Sequence, residues 1–142
     1  MTLPSLNSAI AAAAADRSRA FSIASDAVGQ LAAPKGAARS FISVVRDLSL
    51  ERLVDGPLLG CVFSVKDNID LVGLPTTCGS RVLESSPAPP KDAGIVRAQK
   101  AAGAQCIGKN NMHEFALGGT GFNLRFGTTP NPWDETRHVG DR

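Results

Sequence analysis

The sequence lacks any apolar run that approaches the ~20 residues a helix needs to span a membrane. It also lacks the basic start of a secretory signal, since no Lys or Arg precedes the alanine run Ala11–Ala15. Asp16-Arg17 follows that run directly, whereas a signal peptide needs a longer apolar centre. We therefore expect a cytoplasmic protein with no membrane partner.

A strong charge of one sign is missing as well. The 15 Lys and Arg residues nearly balance 13 Asp and Glu, the net charge is +2, and the basic residues form no stripe. Domains that bind nucleic acid usually show such a stripe or patch, so we predict no nucleic-acid partner. The hydrophobic fraction of 43% and the length of 142 residues are sufficient for one globular domain with its own core.

Cysteines are few and odd in number, and their spacing matches no metal-ligand pattern. Cys61, Cys78 and Cys106 are therefore better explained as reduced thiols than as a disulfide framework. As a nucleophile, each would need a nearby activating base. Cys61 and Cys106 lie in stretches that favour buried strands, where cysteine usually behaves as a small apolar residue.

The two histidines do not suggest a metal site. His113 and Glu114 are adjacent, so on a helix they point to different sides, and His138 lies far downstream. A zinc site would need a third convergent ligand at a recognisable spacing. We predict neither a bound metal nor a cofactor.

The N-terminal part of the sequence favours helices. Residues from Leu3 to about Leu31 are rich in alanine with apolar residues at helical spacing, and Ser18 is a candidate cap for a second helical segment. Pro34-Lys35-Gly36 then ends the pattern. We predict a helical arm over residues 1–34 that packs on a body formed by residues 35–142. An oligomerisation or membrane-surface helix is the alternative, although the polar face is not strongly basic.

The body is predicted to contain a βαβ unit. Phe41–Val45 and the segment around Val62 are β-branched and aromatic, which favours strands. Asp92 is a candidate cap for a helix that runs to residue 102, with Gly103 placed to end it. Residues 104–107 then return as a strand that Gly108 is expected to close. Strand, helix and strand in this order predict a partly parallel sheet.

A single lysine, Lys66, ends the apolar run within Gly56–Asp70. Alternation along a strand places Lys66 on the same face as Val62 and Ser64. Burial favours the neutral amine of a lysine, which can then act as a general base. A solvated lysine at a strand end is the alternative. Lys109 ends a strand in the same way, so composition alone leaves both lysines as candidates.

A glycine cluster, Gly118–Gly121, could bring backbone N–H groups close to an anion or an oxyanion. No Gly-Lys-Ser/Thr follows it, and no strand–turn–helix pattern surrounds it, so it is neither a phosphate loop nor a dinucleotide fingerprint. The alternative is a loop that needs positive φ at one or two positions.

Three runs taken together resemble the amidase signature family of serine hydrolases. They are GPLLGCVFSVKDNIDLVGLPTTCGS (Gly56–Ser80), DAGIVRAQKAAGAQCIGKNNMHEFALGG (Asp92–Gly119) and FGTTPNPWDETR (Phe126–Arg137), and they occur in the family order. The resemblance implies an α/β fold, a mixed β-sheet flanked by helices, of which this chain holds a truncated N-terminal part.

The resemblance also implies a chemistry. Family members hydrolyse carboxylic amides to acid and ammonia, or pass the ammonia on in amidotransferase complexes, with a Ser–cis-Ser–Lys triad. It assigns Lys66 to the triad lysine and makes Lys109 structural. A neutral lysine would accept a proton from the bridging serine and so activate the nucleophilic serine. By analogy, Gly118, Gly119 and Thr120 border the substrate pocket.

The C-terminal end departs from the family. A Gly- and Ser-rich signature with both catalytic serines should follow Arg137, but His138–Arg142 follow instead, and no serine occurs after Ser86. Ser80, Ser85 and Ser86 lie outside that signature and cannot be assigned to the triad. We expect a truncated chain, through a lost reading frame or a fragmentary gene, that is inactive alone because it lacks nucleophile and oxyanion donors. An incomplete sheet should also make it marginally stable and prone to self-association.

Two other classes of function stay open. The chain could be a non-catalytic binding or interaction module, or half of a split amidase or amidotransferase that pairs with a separate C-terminal half. An unrelated enzyme that uses Lys66 or a cysteine with its own partners is the remaining alternative. If the chain is completed, the expected ligand is a small-molecule amide.

Overall fold

The computed structural model describes residues 5–31 and 37–140. Within these ranges the α-helices are α1 (Leu6–Ala15), α2 (Ser18–Leu31) and α3 (Gly94–Ala101), and the strands are β1 (Phe41–Val44), β2 (Val62–Lys66) and β3 (Gln105–Asn110). Short 3-10 turns cover residues 37–40, 50–52, 81–83 and 114–116. None of the described helices is long and apolar enough to cross a bilayer.

The three strands form one sheet in the order β1-β3-β2. β2 runs parallel to β3, and α3 connects them, so β2–α3–β3 is the βαβ unit that the sequence predicts. β1 pairs with the other side of β3 in the antiparallel direction. The prediction of a partly parallel sheet is confirmed, and the mixed sheet places the carboxyl ends of β2 and β3 side by side.

Strand β3 continues past the point where the sequence predicts that it ends. Gly108 does not close the strand but lies inside it, and β3 extends to Asn110. A Cβ at Gly108 would overlap the carbonyl oxygen of Ser43 and lie 2.9 Å from the Phe41 ring, so β1 can approach this closely only because residue 108 is glycine. The reason was not visible in the sequence, because it depends on the neighbouring strand.

An irregularity in β3 determines which residues share a face. Phe63 pairs with Cys106, but Ser64 pairs with Gly108, so one residue of β3 is extra at this point. Val65 then pairs with Lys109. Because alternation along β2 is unbroken, Phe63, Val65 and their partners Cys106 and Lys109 lie on one face of the sheet.

The N-terminal end of α3 differs from the prediction, whereas its C-terminal end agrees with it. Ala93, not Asp92, is the N-cap residue, and no side chain caps it. The Asp92 carboxylate instead accepts hydrogen bonds of 2.8 Å from the Val72 N–H and from Lys100 Nζ. Gly103 does end the helix as predicted, with φ +98° and its N–H donating to the Lys100 carbonyl at 3.0 Å.

A short break separates α1 from α2. Ser18 is the first residue of α2 and not the residue that caps it. The Asp16 carboxylate accepts hydrogen bonds from the Ser18 N–H (2.9 Å) and hydroxyl (2.7 Å), so Asp16 is the residue that satisfies the start of α2. The buried positions of both helices are all alanine, which lets the helices pack closely: Ala9, Ala13, Ala20, Ala24 and Ala27. The break predicted at Pro34–Gly36, and with it the domain boundary at residues 34/35, lies outside the described residues.

The apolar core has two parts. The first lies between the sheet and α3 and contains Val65, Leu71, Val96 and Cys106. The second joins the N-terminal helices to the body through Ala13, Ala20 and Leu53. A hydrogen bond of 3.2 Å from Gln105 Nε2 to the Ala20 carbonyl adds to this contact. The N-terminal helices therefore pack on the body, and the carboxyl ends of β2 and β3 are positioned by packing from α3.

Candidate functional site

Lys66 is the last residue of β2, and its partner in the register is Asn110, the last residue of β3. Both side chains are partly buried. The carboxyl ends of parallel strands are where α/β proteins commonly place functional side chains. Because Val65 pairs with Lys109, Lys66 lies on the face of the sheet opposite Lys109.

Asp67 directly follows Lys66 and is fully buried. Its Oδ2 atom accepts hydrogen bonds from the N–H groups of Thr77 and Gly79, both at 3.2 Å, and from the Thr77 hydroxyl. Its Oδ1 atom lies 3.1 Å from Lys109 Nζ, outside hydrogen-bond geometry but within ion-pair distance. The carboxylate therefore fixes the chain immediately after Lys66 against the loop at residues 75–80.

Lys109 is also fully buried, and its ammonium is held by three groups. Besides Asp67, it donates to the Pro75 carbonyl at 2.8 Å and to Thr76 Oγ1 at 2.9 Å. A buried charge of this kind is tolerated only when it is paired and hydrogen-bonded. The structure thus separates the two lysines, since Lys109 ties β3 to the 75–80 loop and Lys66 lies at a partly exposed strand end.

The 75–80 loop is itself strained and anchored. Cys78 has a positive φ of +52°, which a residue with a side chain adopts rarely. The Cys78 carbonyl accepts a hydrogen bond of 2.8 Å from the Phe115 N–H, and Ser80 Oγ donates to Glu114 Oε1 at 2.5 Å. Ser80 is completely buried, so its hydroxyl is a structural bridge between this loop and the 3-10 turn at Glu114–Ala116.

Burial disfavours the thiolate form at each of the three cysteines. It raises the pKa of the Cys61 and Cys106 thiols, and at Cys78 burial and the nearby Asp67 charge raise the pKa. Since the thiolate is the nucleophile, these shifts do not favour covalent catalysis by cysteine. Cys61 lies just before β2 and not inside a strand as predicted, whereas Cys106 is in β3.

The glycine cluster has positive φ at one of its positions. Gly121 has φ +67°, which agrees with the simpler interpretation of a loop. Gly118 lies against the His113 imidazole, where a Cβ would overlap the ring, while Gly119 has open space around its α-carbon. Thr120 Oγ1 accepts a hydrogen bond of 3.4 Å from the Phe122 N–H.

A cavity of about 450 Å³ lies beside the buried loop, with Asn123 at its wall. Asn123 Nδ2 donates to the carbonyls of Gly79 and Met112, both at 2.8 Å, and these bonds hold the side chain in place. Neither Lys66 nor the Gly118–Thr120 segment lines this cavity. Among the described residues, no three His, Cys, Asp or Glu side chains are grouped closely enough to hold a metal ion.

Comparison with known proteins identifies the family. The amidase family model matches residues 42–140, which includes the whole sheet from Ile42 onward and both lysines. The chain belongs to the amidase family. Relatives of this amidase-family chain include a subunit of the glutamyl-tRNA(Gln) amidotransferase of Symbiobacterium thermophilum, 41% identical over 133 residues. That match covers 85% of this chain and 27% of the relative.

A second relative agrees with this assignment. The corresponding glutamyl-tRNA(Gln) amidotransferase protein from Sulfolobus acidocaldarius is 49% identical over 85 residues, which cover 60% of this chain and 18% of the relative. The amidase-family chain therefore spans about a quarter or less of the length of these curated relatives.

Solved structures give the same fold. The crystal structure of the equivalent amidotransferase protein from Thermotoga maritima matches with a TM-score of 0.77 and 32% identity, covering 88% of this chain and 27% of that chain. An amidase matches with a TM-score of 0.78 and 28% identity over 95% of this chain and 33% of its own. A member of a vestigial complex related to the origins of an s-triazine catabolic enzyme matches with a TM-score of 0.81 and 30% identity, over 96% and 32%. The predicted fold, an N-terminal part of the amidase fold, is confirmed.

The role of Asp67 was not predicted from the sequence. The sequence did contain a signal: Asp67 directly follows one predicted strand and Lys109 follows the next one. The carboxyl ends of neighbouring parallel strands lie side by side, so two opposite charges at these positions can meet. Only the register, with its extra residue in β3, places these two charges together.

Proposed function

We propose that this chain provides the N-terminal part of an amide hydrolase, with Lys66 as the general base of a Ser–cis-Ser–Lys triad. Both serines would come from the Gly- and Ser-rich segment that longer family members carry after the Asn-Pro-Trp-Asp turn, or from a separate chain. The observation that carries the proposal is the contrast between the two lysines. Lys109 is enclosed by three oxygen partners, one of them from Asp67, whereas Lys66 is partly exposed at the carboxyl end of β2.

The chemistry would then run in two stages. The neutral amine of Lys66 accepts the proton of the bridging serine, which takes the proton of the nucleophilic serine as that oxygen attacks the amide carbonyl. The C–N bond breaks and the proton returns through the bridging serine to the leaving ammonia. Water then hydrolyses the acyl-serine to the carboxylic acid. This chain alone would supply the base but neither serine, so we propose that it is inactive by itself.

Gly118, Gly119 and Thr120 are proposed to border the amide. Their support is the open space around Gly119 and the partly exposed Thr120 beside it. Small residues allow a substrate to approach the backbone closely. The amide itself would be a small molecule, and a larger assembly is favoured by the relatives that are subunits of amidotransferases.

Exposed apolar side chains on the C-terminal segment support the proposal that further polypeptide completes the enzyme. Three large apolar side chains are almost fully exposed there: Leu117 (85%), Leu124 (89%) and Trp133 (95%). Burying such side chains against further polypeptide would remove apolar surface from water. This supports the proposal that the chain is completed by another protein segment.

Complementation tests the proposal. The chain is mixed or co-expressed with the segment of the Symbiobacterium protein that lies C-terminal to the matched region, and ammonia release from simple amides is measured. We expect activity from the mixture, no activity from either part alone, and a loss of roughly 10²–10⁴-fold with Lys66→Ala, as for removal of a general base. Lys91→Ala is the matched control, because Lys91 is an exposed lysine away from β2 and should leave the activity unchanged.

Two results would contradict it. Amide hydrolysis by the purified chain alone that disappears with Lys66→Ala would show that the missing serines are not required. A mixture that forms a stable complex without activity would favour the interaction-module alternative.

A further inference from the structure

A second cavity, of about 350 Å³, lies between the connector that follows β1 and the C-terminal end of α3. Val45 and Leu53 come from the β1 end and the connector, and Leu71 comes from the turn after β2. Cys106 of β3 lies at the base, and the half-exposed Val72 lies near the opening. Most of the lining is therefore apolar.

The base of this cavity reaches the core. Leu71 and Cys106 belong to the core cluster under α3, whereas Leu53 belongs to the cluster that holds the N-terminal helices. The cavity thus lies where the two clusters meet. The cavity is open to solvent on one side, and it would hold on the order of ten water molecules.

The charges at the opening are already paired. Arg52 Nη1 donates to Asp47 Oδ2 at 2.8 Å, and Lys100 Nζ donates to Asp92 Oδ2 at 2.8 Å. An anionic or cationic ligand would have to compete with one of these pairs. An uncharged ligand would bury apolar surface against Leu53, Leu71 and Cys106 without that competition.

We propose that this cavity binds an uncharged, largely apolar small molecule. Its volume lies within the range of about 300–1,000 Å³ that is typical of small-molecule pockets. Neither Lys66 nor the Gly118–Thr120 segment lines it, so it is a site apart from the proposed catalytic one and does not depend on amide hydrolysis. It gives the body of the chain a ligand site that remains even when no serine is supplied.

The test uses Nile red, an uncharged apolar dye whose fluorescence rises in an apolar site, with the full chain. Val72→Phe places a larger side chain at the cavity opening, while Val82→Phe is the matched control, at an exposed valine outside the cavity. We expect one saturable site in the wild type and in Val82→Phe, and binding weakened about tenfold or more in Val72→Phe. Both substitutions replace exposed valines, so both variants should remain folded.

A second measurement locates the dye. Saturating dye should slow alkylation by N-ethylmaleimide of the thiol introduced in Val72→Cys, followed by mass spectrometry, and leave alkylation of Val82→Cys unchanged because Val82 does not line the cavity. The proposal is overturned if Val72→Phe and Val82→Phe bind the dye equally, or if no saturable binding occurs. It is also overturned if binding is lost on Leu124→Ser, which would place the dye on the exposed C-terminal segment instead.

Discussion

The two lysines that end strands β2 and β3 have opposite environments despite their similar sequence context. Lys109 and Asp67 are both completely buried and lie 3.1 Å apart. Removing water from two charges is costly, so such a pair contributes little net stability by itself, but losing one member leaves the other buried without its counter-charge. The pair therefore acts mainly to fix the positions of β2, β3 and the 75–80 loop relative to one another.

Lys109→Met should strongly destabilise the fold. It leaves the Asp67 carboxylate buried with hydrogen-bond donors but no positive charge, and we expect the free energy of unfolding to fall by about 3–5 kcal/mol. Urea denaturation followed by circular dichroism measures this loss. The double variant Asp67→Asn/Lys109→Met should recover part of it, since both charges are then absent. Lys91→Met, at an exposed lysine, is the matched control and should change the midpoint little. Equal midpoints for Lys109→Met and wild type would contradict the role of the pair.

At the scale of elements, α3 is held by an acidic residue that precedes it and does not cap it. Asp92 joins the Val72 N–H in the turn after β2 to Lys100 in the last turn of the helix. Burial by itself would raise the pKa of the Asp92 carboxyl, but the hydrogen bonds from Lys100 and from the Val72 N–H outweigh burial and hold the pKa below its usual value. The charged form of Asp92 is thus favoured in the folded state.

This gives a pH dependence with a defined sign. A carboxyl whose pKa is depressed by folding adds stability above its unfolded pKa of about 3.9, and that stability is lost as the pH falls through the lower folded value. Asp92→Asn should therefore cost about 1 kcal/mol at neutral pH and lose less stability than wild type below about pH 4. Urea denaturation midpoints of both proteins at neutral pH and below about pH 4 measure these two effects. Asp26→Asn removes the same charge from an exposed face of α2 and serves as the control; parallel acid curves for the wild type and Asp92→Asn would contradict the assignment.

At the scale of the whole molecule, three large apolar side chains of one segment are almost fully exposed. Leu117, Leu124 and Trp133 are exposed on the segment that follows the sheet. The Symbiobacterium relative is about four times as long as the part that this chain matches, and the matching chain of the vestigial complex is about three times as long. These exposed side chains support the proposal that further polypeptide covers this segment.

We expect the isolated chain to self-associate as its concentration rises, because burying these side chains against a second copy removes apolar surface from water. Sedimentation velocity over a concentration series measures this. Leu124→Ser should shift the chain toward the monomer, whereas Val82→Ser, at an exposed valine outside this segment, should have less effect. A stable, monodisperse monomer at all concentrations would instead favour an independent interaction module.

Local patterns in the sequence were sufficient for much of the fold. The β-branched runs, the helix that ends at Gly103 and the order of the segments predicted the βαβ unit, because these features depend on neighbouring residues. The motif resemblance likewise led to the amidase family and to Lys66 as a candidate. The absence of serine after Ser86 was also visible at this level.

Other features depended on segments that are distant in sequence. The residue pattern could not choose between Lys66 and Lys109, because their burial depends on the register of two strands and on one extra residue in β3. Position 108 is occupied by glycine because β1 approaches the backbone of β3 closely there. Asp92 binds Val72 and Lys100 because the turn after β2 packs against α3. Packing between distant segments sets burial and charge pairing, so only the tertiary structure shows which lysine is enclosed and which one stands at an accessible strand end.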